Sequence, residues 1–139
     1  MSERATWRER RRDAATALAA ADDKRRARET EQARALLAEF VRQRRAAGAA
    51  PTLLRARVPG RRTTYRTGLS GWYLRANRSL AVGEDGSFYI LDVAPSLAAR
   101  IRGLTVEPSD PPLVVGRGAR DGESIELAEL LRRAASEHS

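Results

Sequence analysis

The 139 residues carry 26 basic and 18 acidic side chains, a net charge of +8, no cysteine and a single histidine, His138. These counts exclude disulfides, thiolate metal sites, Ser–His couples and multi-histidine centres. The length suits one domain, and two Trp, three Tyr and two Phe foretell a small, sheet-centred core.

Charge is polarised along the chain. Residues 1–50 carry a net +5 and residues 81–139 a net −4, whereas residues 51–80 carry +7 and no carboxylate at all. All basic residues but Lys24 are arginine. Codon bias explains that choice of cation, but not thirty residues without an acid.

From Ser2 to Ala47 there is neither Gly nor Pro, and Ala, Arg, Glu and Leu dominate. That composition predicts one long helix, supported by an Asp22–Arg26 pair at i,i+4 and stopped by Gly48 and Pro51. Ala33, Leu36, Leu37, Phe40 and Val41 form an apolar stripe that should pack on the domain. Upstream only Trp7 and Leu18 are large, so residues 1–30 read as a projecting or partly ordered basic helix, with residues 31–139 as the globular unit. Arg8 to Arg12 ahead of the alanine-rich stretch 14–21 imitates a secretory leader. Leu18 is the only large apolar residue there, however, and no run approaches the ~18 apolar residues of a membrane span. A cytoplasmic protein without membrane association is expected.

Beyond residue 51 the period changes. Leu54 to Val58 alternates apolar and basic residues, the mark of a half-buried strand; Pro59-Gly60 makes a turn and Thr63 to Thr67 favours β structure. Gly68 to Gly71 reads as a loop and Trp72 to Arg75 as a short strand. Residues 79–91 read as a hairpin about a tight Asp85-Gly86 turn, pairing Val82 with Tyr89 and Leu80 with Leu91. Ala81, Phe88 and Ile90 fall on its other face. With both faces apolar, the hairpin should lie mid-sheet. The 33–47 stripe should cover one face, and the C-terminal helix or a partner subunit the other. Pro95 to Arg102 follows as a short helix with Leu97, Ala98 and Ile101 inward, then strands at Leu104 to Val106 and Leu113 to Val115. A last helix from Ser124, its N-cap, to Ala135 buries Leu127, Ala128, Leu131 and Ala134, with Ile125 and Leu130 flanking. The fold class is α+β: a long N-terminal helix, a small mostly antiparallel sheet built as a meander with the 79–91 hairpin, and a C-terminal helix.

Three stretches invite a chemical reading. Gly116, Gly118 and Gly122 precede the last helix as in a phosphate loop. No second strand or acidic ribose ligand follows, however, and Gly-Lys-Ser/Thr is absent. What survives is a weak anion site at Arg117, Gly118, Arg120 and Ser124, in competition with a plain glycine turn. Gly68-Leu-Ser70-Gly71-Trp72 resembles a nucleophile elbow but lacks the closing glycine and a histidine partner. With no acid pair suited to catalysis or metal binding, neither enzyme activity nor a cofactor is expected.

The third stretch is the acid-free block. Arg55, Arg57, Arg61, Arg62, Arg66, Arg75 and Arg78 are interleaved with Tyr65, Trp72 and Tyr73. Guanidinium forks hold phosphates and aromatic faces stack bases, which together suit single-stranded DNA or RNA. The competing account makes the arginines a solvated sheet face and the aromatics core. The leading expectation is a small, soluble, non-enzymatic module that binds a polyanion, most plausibly nucleic acid. The alternative is a protein–protein adaptor or homodimer that uses the N-terminal helix and a hairpin face.

Overall fold

The computed structural model describes residues 3–116 and 124–137. Helix α1 runs unbroken over Glu3–Ala46. Its buried residues are Ala33, Leu37, Phe40, Val41 and Arg44, the three-and-four spacing of a core-facing stripe. No described residue upstream of Ala33 is buried. Asp22 does not pair with Arg26: it accepts from Arg25 Nη2 at 2.9 Å, the i,i+3 neighbour being as accessible on a helix surface as the i+4 one.

After Gly48 the chain builds a meander of β1 (Thr52–Arg57), β2 (Thr64–Tyr73), β3 (Leu80–Gly83) and β4 (Phe88–Ile90), antiparallel in sequence order. The fold is α+β. The expected loop at Gly68 to Gly71 is instead the middle of β2. Gly71 stands opposite Gly83 in the ladder, and a Cβ there would collide with the carbonyl oxygen of Val82. That glycine serves close strand approach rather than a loop.

The 79–91 hairpin forms one residue out of the expected register. Leu80 pairs with Ile90, Ala81 with Tyr89 and Val82 with Phe88. The turn is the cause. Gly83 N donates to Ser87 O at 2.8 Å and Gly86 N to Gly83 O at 3.0 Å, closing a three-residue loop. Within that loop only Gly86 takes a positive φ, 88°, whereas a two-residue Asp-Gly turn needs two such positions. Because strand side chains alternate, the slip regroups the faces. Leu80, Val82 and Phe88 now face the helices, and Ala81, Tyr89 and Leu91 the other side. Nor is the hairpin mid-sheet, since β4 is an end strand. Its edge is covered by Ser109, whose N donates to Phe88 O at 2.8 Å. Just past β4 the chain curls back on β1: Arg57 N donates to Leu91 O and Val93 N to Arg57 O. The sheet thereby rolls toward closure and covers its other edge.

Two-residue strands β5 (Val114–Val115) and β6 (Ile125–Glu126) pair antiparallel and lead into α3 (Leu127–Glu137). Ser124 therefore precedes a strand rather than capping a helix. In α3 the buried residues are Leu127, Leu130, Leu131 and Ala134, while Ala128 is exposed. This helix shares one core with α1, Trp72, Leu74, Val82 and Phe88, so both long helices lie on the same side of the sheet. The other side is filled from within the chain by Leu54, Ala56, Val58, Tyr65 and Tyr89. The short helix α2 (Leu97–Arg102) seals it with Ala99 alone, and Leu97, Ala98 and Ile101 point to solvent. Leu104 to Val106 is not a strand; Leu104 N is spent on Arg66 O at 2.7 Å.

Candidate nucleic-acid interface

The β1–β2 hairpin carries most of the acid-free block, and it is shaped by a bulge in β2, where residues 67–69 stand opposite Leu54 alone. The irregular pairing is repaired by side chains. Thr67 Oγ1 donates to Leu54 O at 2.6 Å, and Arg55 N donates to the Tyr73 hydroxyl oxygen at 2.9 Å. Tyr73 is thereby fixed beside Arg55. In the β2–β3 connection Arg78 lies with its guanidinium 5.4 Å from the centroid of the Tyr73 ring, within cation–π range.

A groove of about 720 Å³ opens at this end of the hairpin. Its apolar lining comes from Ala49, Leu53, Trp72 and Tyr73; Arg55, Arg75 and Arg78 line it as cations, with Glu137 as a carboxylate. Leu53 is 75% exposed, a large apolar side chain left at the mouth. Among the described residues none of the three arginines has a carboxylate within ion-pair distance. Arg55 Nε instead donates to Thr64 Oγ1 at 2.9 Å. The groove thus offers unneutralised guanidinium donors around an apolar floor.

The other candidates are dispersed. Arg57 is half-buried and neutralised by Asp92, Nε to Oδ1 at 2.5 Å. Arg61 and Arg62 are exposed in the β1–β2 turn, at the opposite end of the hairpin. Arg66 is turned toward α2, where Nη2 donates to Ile101 O at 3.1 Å. Tyr65 offers no stacking face: it is buried, and its hydroxyl accepts from Ser96 N at 2.8 Å. Trp72 is core as well, its Nε1 donating to Ala49 O at 3.2 Å. The Arg45 guanidinium lies 5.6 Å from its ring centroid. Phenolic and indole donors commonly find such partners when buried.

Arg117, Gly118 and Arg120 lie outside the described residues. The helix-start part of that anion reading does not hold, because α3 begins at Leu127 and Leu127 N donates to Leu113 O at 2.7 Å. Sequence reading overlooked Leu53. The signal was there: consecutive leucines in an alternating strand force one of them outward. Among the described residues no group of His, Cys, Asp and Glu could hold a metal ion, and no helix is long and apolar enough to cross a membrane. No protein-family model, curated protein or solved structure matches this chain.

Proposed function

We propose that the chain is a non-enzymatic binding module that takes single-stranded nucleic acid, DNA or RNA, in the groove at the start of β1. The observation that carries this reading is that Arg55, Arg75 and Arg78 line one groove with Tyr73 and Leu53. Guanidinium forks meet successive phosphates while a splayed base rests on the apolar floor. A duplex keeps its bases stacked inside and gains only the phosphate contacts.

The adaptor or homodimer reading draws less support. The faces of the 79–91 hairpin are occupied by the chain's own residues, leaving Ile90 as its exposed large apolar side chain. The upstream half of α1 presents Trp7 and Leu18 but no continuous apolar stripe.

Anisotropy titrations with labelled single-stranded DNA, single-stranded RNA and duplex DNA over a salt series test the proposal. Three phosphate contacts give a slope of log affinity against log salt of about −2 for single strands. Arg55→Ala/Arg75→Ala/Arg78→Ala should flatten that slope, whereas Arg57→Ala, whose cation is already neutralised, should leave it nearly intact. Binding that is absent at low salt, or indifferent to the triple change, ends the reading.

A further inference from the structure

Helix α2 has its amphipathicity inverted. It buries Ala99, 4% exposed, and holds Leu97 and Ile101 out in water at 78% and 77% exposure. These two stand at i,i+4, one above the other on the same helix face. The orientation is imposed from both ends. Ser96 N donates to the Tyr65 hydroxyl at 2.8 Å, and the Ser96 side chain accepts from Ala99 N at 3.1 Å. At the other end Leu104 N donates to Arg66 O at 2.7 Å, and Arg66 Nη2 donates to Ile101 O at 3.1 Å. The space beneath, between Ala56, Val58 and Tyr65, takes an alanine. Rolling the helix to bury Leu97 and Ile101 would break these bonds, so the apolar pair is displayed by construction. Large apolar side chains displayed together on a fixed element mark a contact surface.

Charge identifies the occupant. Arg100 and Arg102 lie on the same helix and Arg66 is bonded to its last turn. Among the described residues none of the three has a carboxylate partner. A second copy docking here about a two-fold axis would crowd the Arg100 and Arg102 cations of both copies into one interface, an arrangement that repels. We infer that the exposed face of α2 docks an acidic amphipathic protein segment, whose apolar side chains cover Leu97 and Ile101 and whose carboxylates meet Arg66, Arg100 and Arg102. This surface borders the groove at one point, where Arg66 stands opposite Arg55 in the β1–β2 ladder, and the inference does not rest on nucleic-acid binding.

The probe is a labelled synthetic helical peptide with leucines at i,i+4 bordered by glutamates, beside a twin carrying lysines in place of the glutamates. Saturable binding of the acidic peptide alone is expected. Leu97→Ser/Ile101→Ser and, separately, Arg100→Glu/Arg102→Glu should each weaken it at least about tenfold. All four positions are exposed, so melting curves should match the parent. Arg75→Ala/Arg78→Ala, which spares Arg55 opposite Arg66, should leave peptide binding unchanged, which separates this surface from the groove. The inference is overturned if the acidic peptide fails to bind, if both α2 variants bind it as well as the parent, or if the lysine twin binds equally. It is also overturned if the face proves to serve phosphatidylglycerol vesicles, or self-association seen by light scattering and abolished by Leu97→Ser/Ile101→Ser.

Discussion

Arg78 is the described non-glycine residue with a positive φ, 63°, a conformation that costs an L-residue about 1–2 kcal/mol. Replacing it separates fold from function. Arg78→Gly relieves the backbone and removes the cation over Tyr73. Unfolding free energy should hold or rise by up to about 1 kcal/mol in denaturant titration. The single-strand salt slope should fall by about 0.7, the share of one phosphate. A loss of stability with an unchanged slope would make Arg78 purely structural. A second residue-scale test concerns pH. The hydrogen bond from Arg42 to Glu39, 2.8 Å from Nε and 2.5 Å from Nη2, holds the Glu39 carboxyl below its ordinary range. A lowered folded value means the pair's stabilisation is complete above the ordinary carboxylate range and disappears as pH falls through the lowered value. An NMR titration of the Glu39 carboxyl should show that low midpoint, and Arg42→Ala should return it upward. Residue identity revealed the basic block but not its geometry. Tyr65, Trp72 and Tyr73 share one pattern, yet Tyr65 is buried beneath α2 and Trp72 beneath the long helices, because the cover each ring receives, rather than composition, decides which one meets solvent.

At the scale of elements, legibility followed length. The stripe of α1 spans several turns, so its phase could be read from Ala33 to Val41. The six residues of α2 span less than two turns, and there the hydrogen bonds that Ser96 N gives to the Tyr65 hydroxyl, Leu104 N to Arg66 O and Arg66 Nη2 to Ile101 O overrode the apolar pattern. The hairpin at 79–91 was visible as two apolar runs about Asp85-Gly86, but its register depended on a loop one residue longer than the dipeptide implies. Gly71 reads as loop punctuation in the sequence because nothing local distinguishes a loop glycine from one at a close strand approach. Gly71→Ala tests that distinction: its Cβ would strike Val82 O, a rigid backbone atom. A loss of about 3 kcal/mol is expected in equilibrium unfolding, against a small effect were residues 68–71 a loop. Removing residues 1–24 makes the opposite prediction. That segment buries nothing among the described residues, so the domain's unfolding midpoint should stay while the far-ultraviolet helical signal drops.

The two proposed surfaces divide the molecule along β1. The groove lies where β1 begins, beside Thr52 and Tyr73. Helix α2 packs where β1 ends, over Ala56, Val58 and Tyr65. The six residues of β1 put the outer ends of the two surfaces about 20 Å apart at the usual rise per strand residue, while their inner edges meet at the cross-strand partners Arg55 and Arg66. Both expected ligands are anionic, so each bound partner repels the other through the intervening space. The Debye length is about 8 Å at physiological salt and about 30 Å at ~0.01 M. For ligands seated on Tyr73 and Arg78 at one end and on Leu97 and Ile101 at the other, the separation exceeds the first and falls short of the second. Oligonucleotide and acidic peptide should therefore bind independently, within about twofold, near physiological salt. At low salt they should become mutually antagonistic. Titrating each ligand with and without saturating amounts of the other measures that coupling, and reciprocity requires both orders to agree. Antagonism persisting undiminished at physiological salt would mean that the two ligands compete for one surface, and that the arginines of the β1–β2 hairpin act as a single patch.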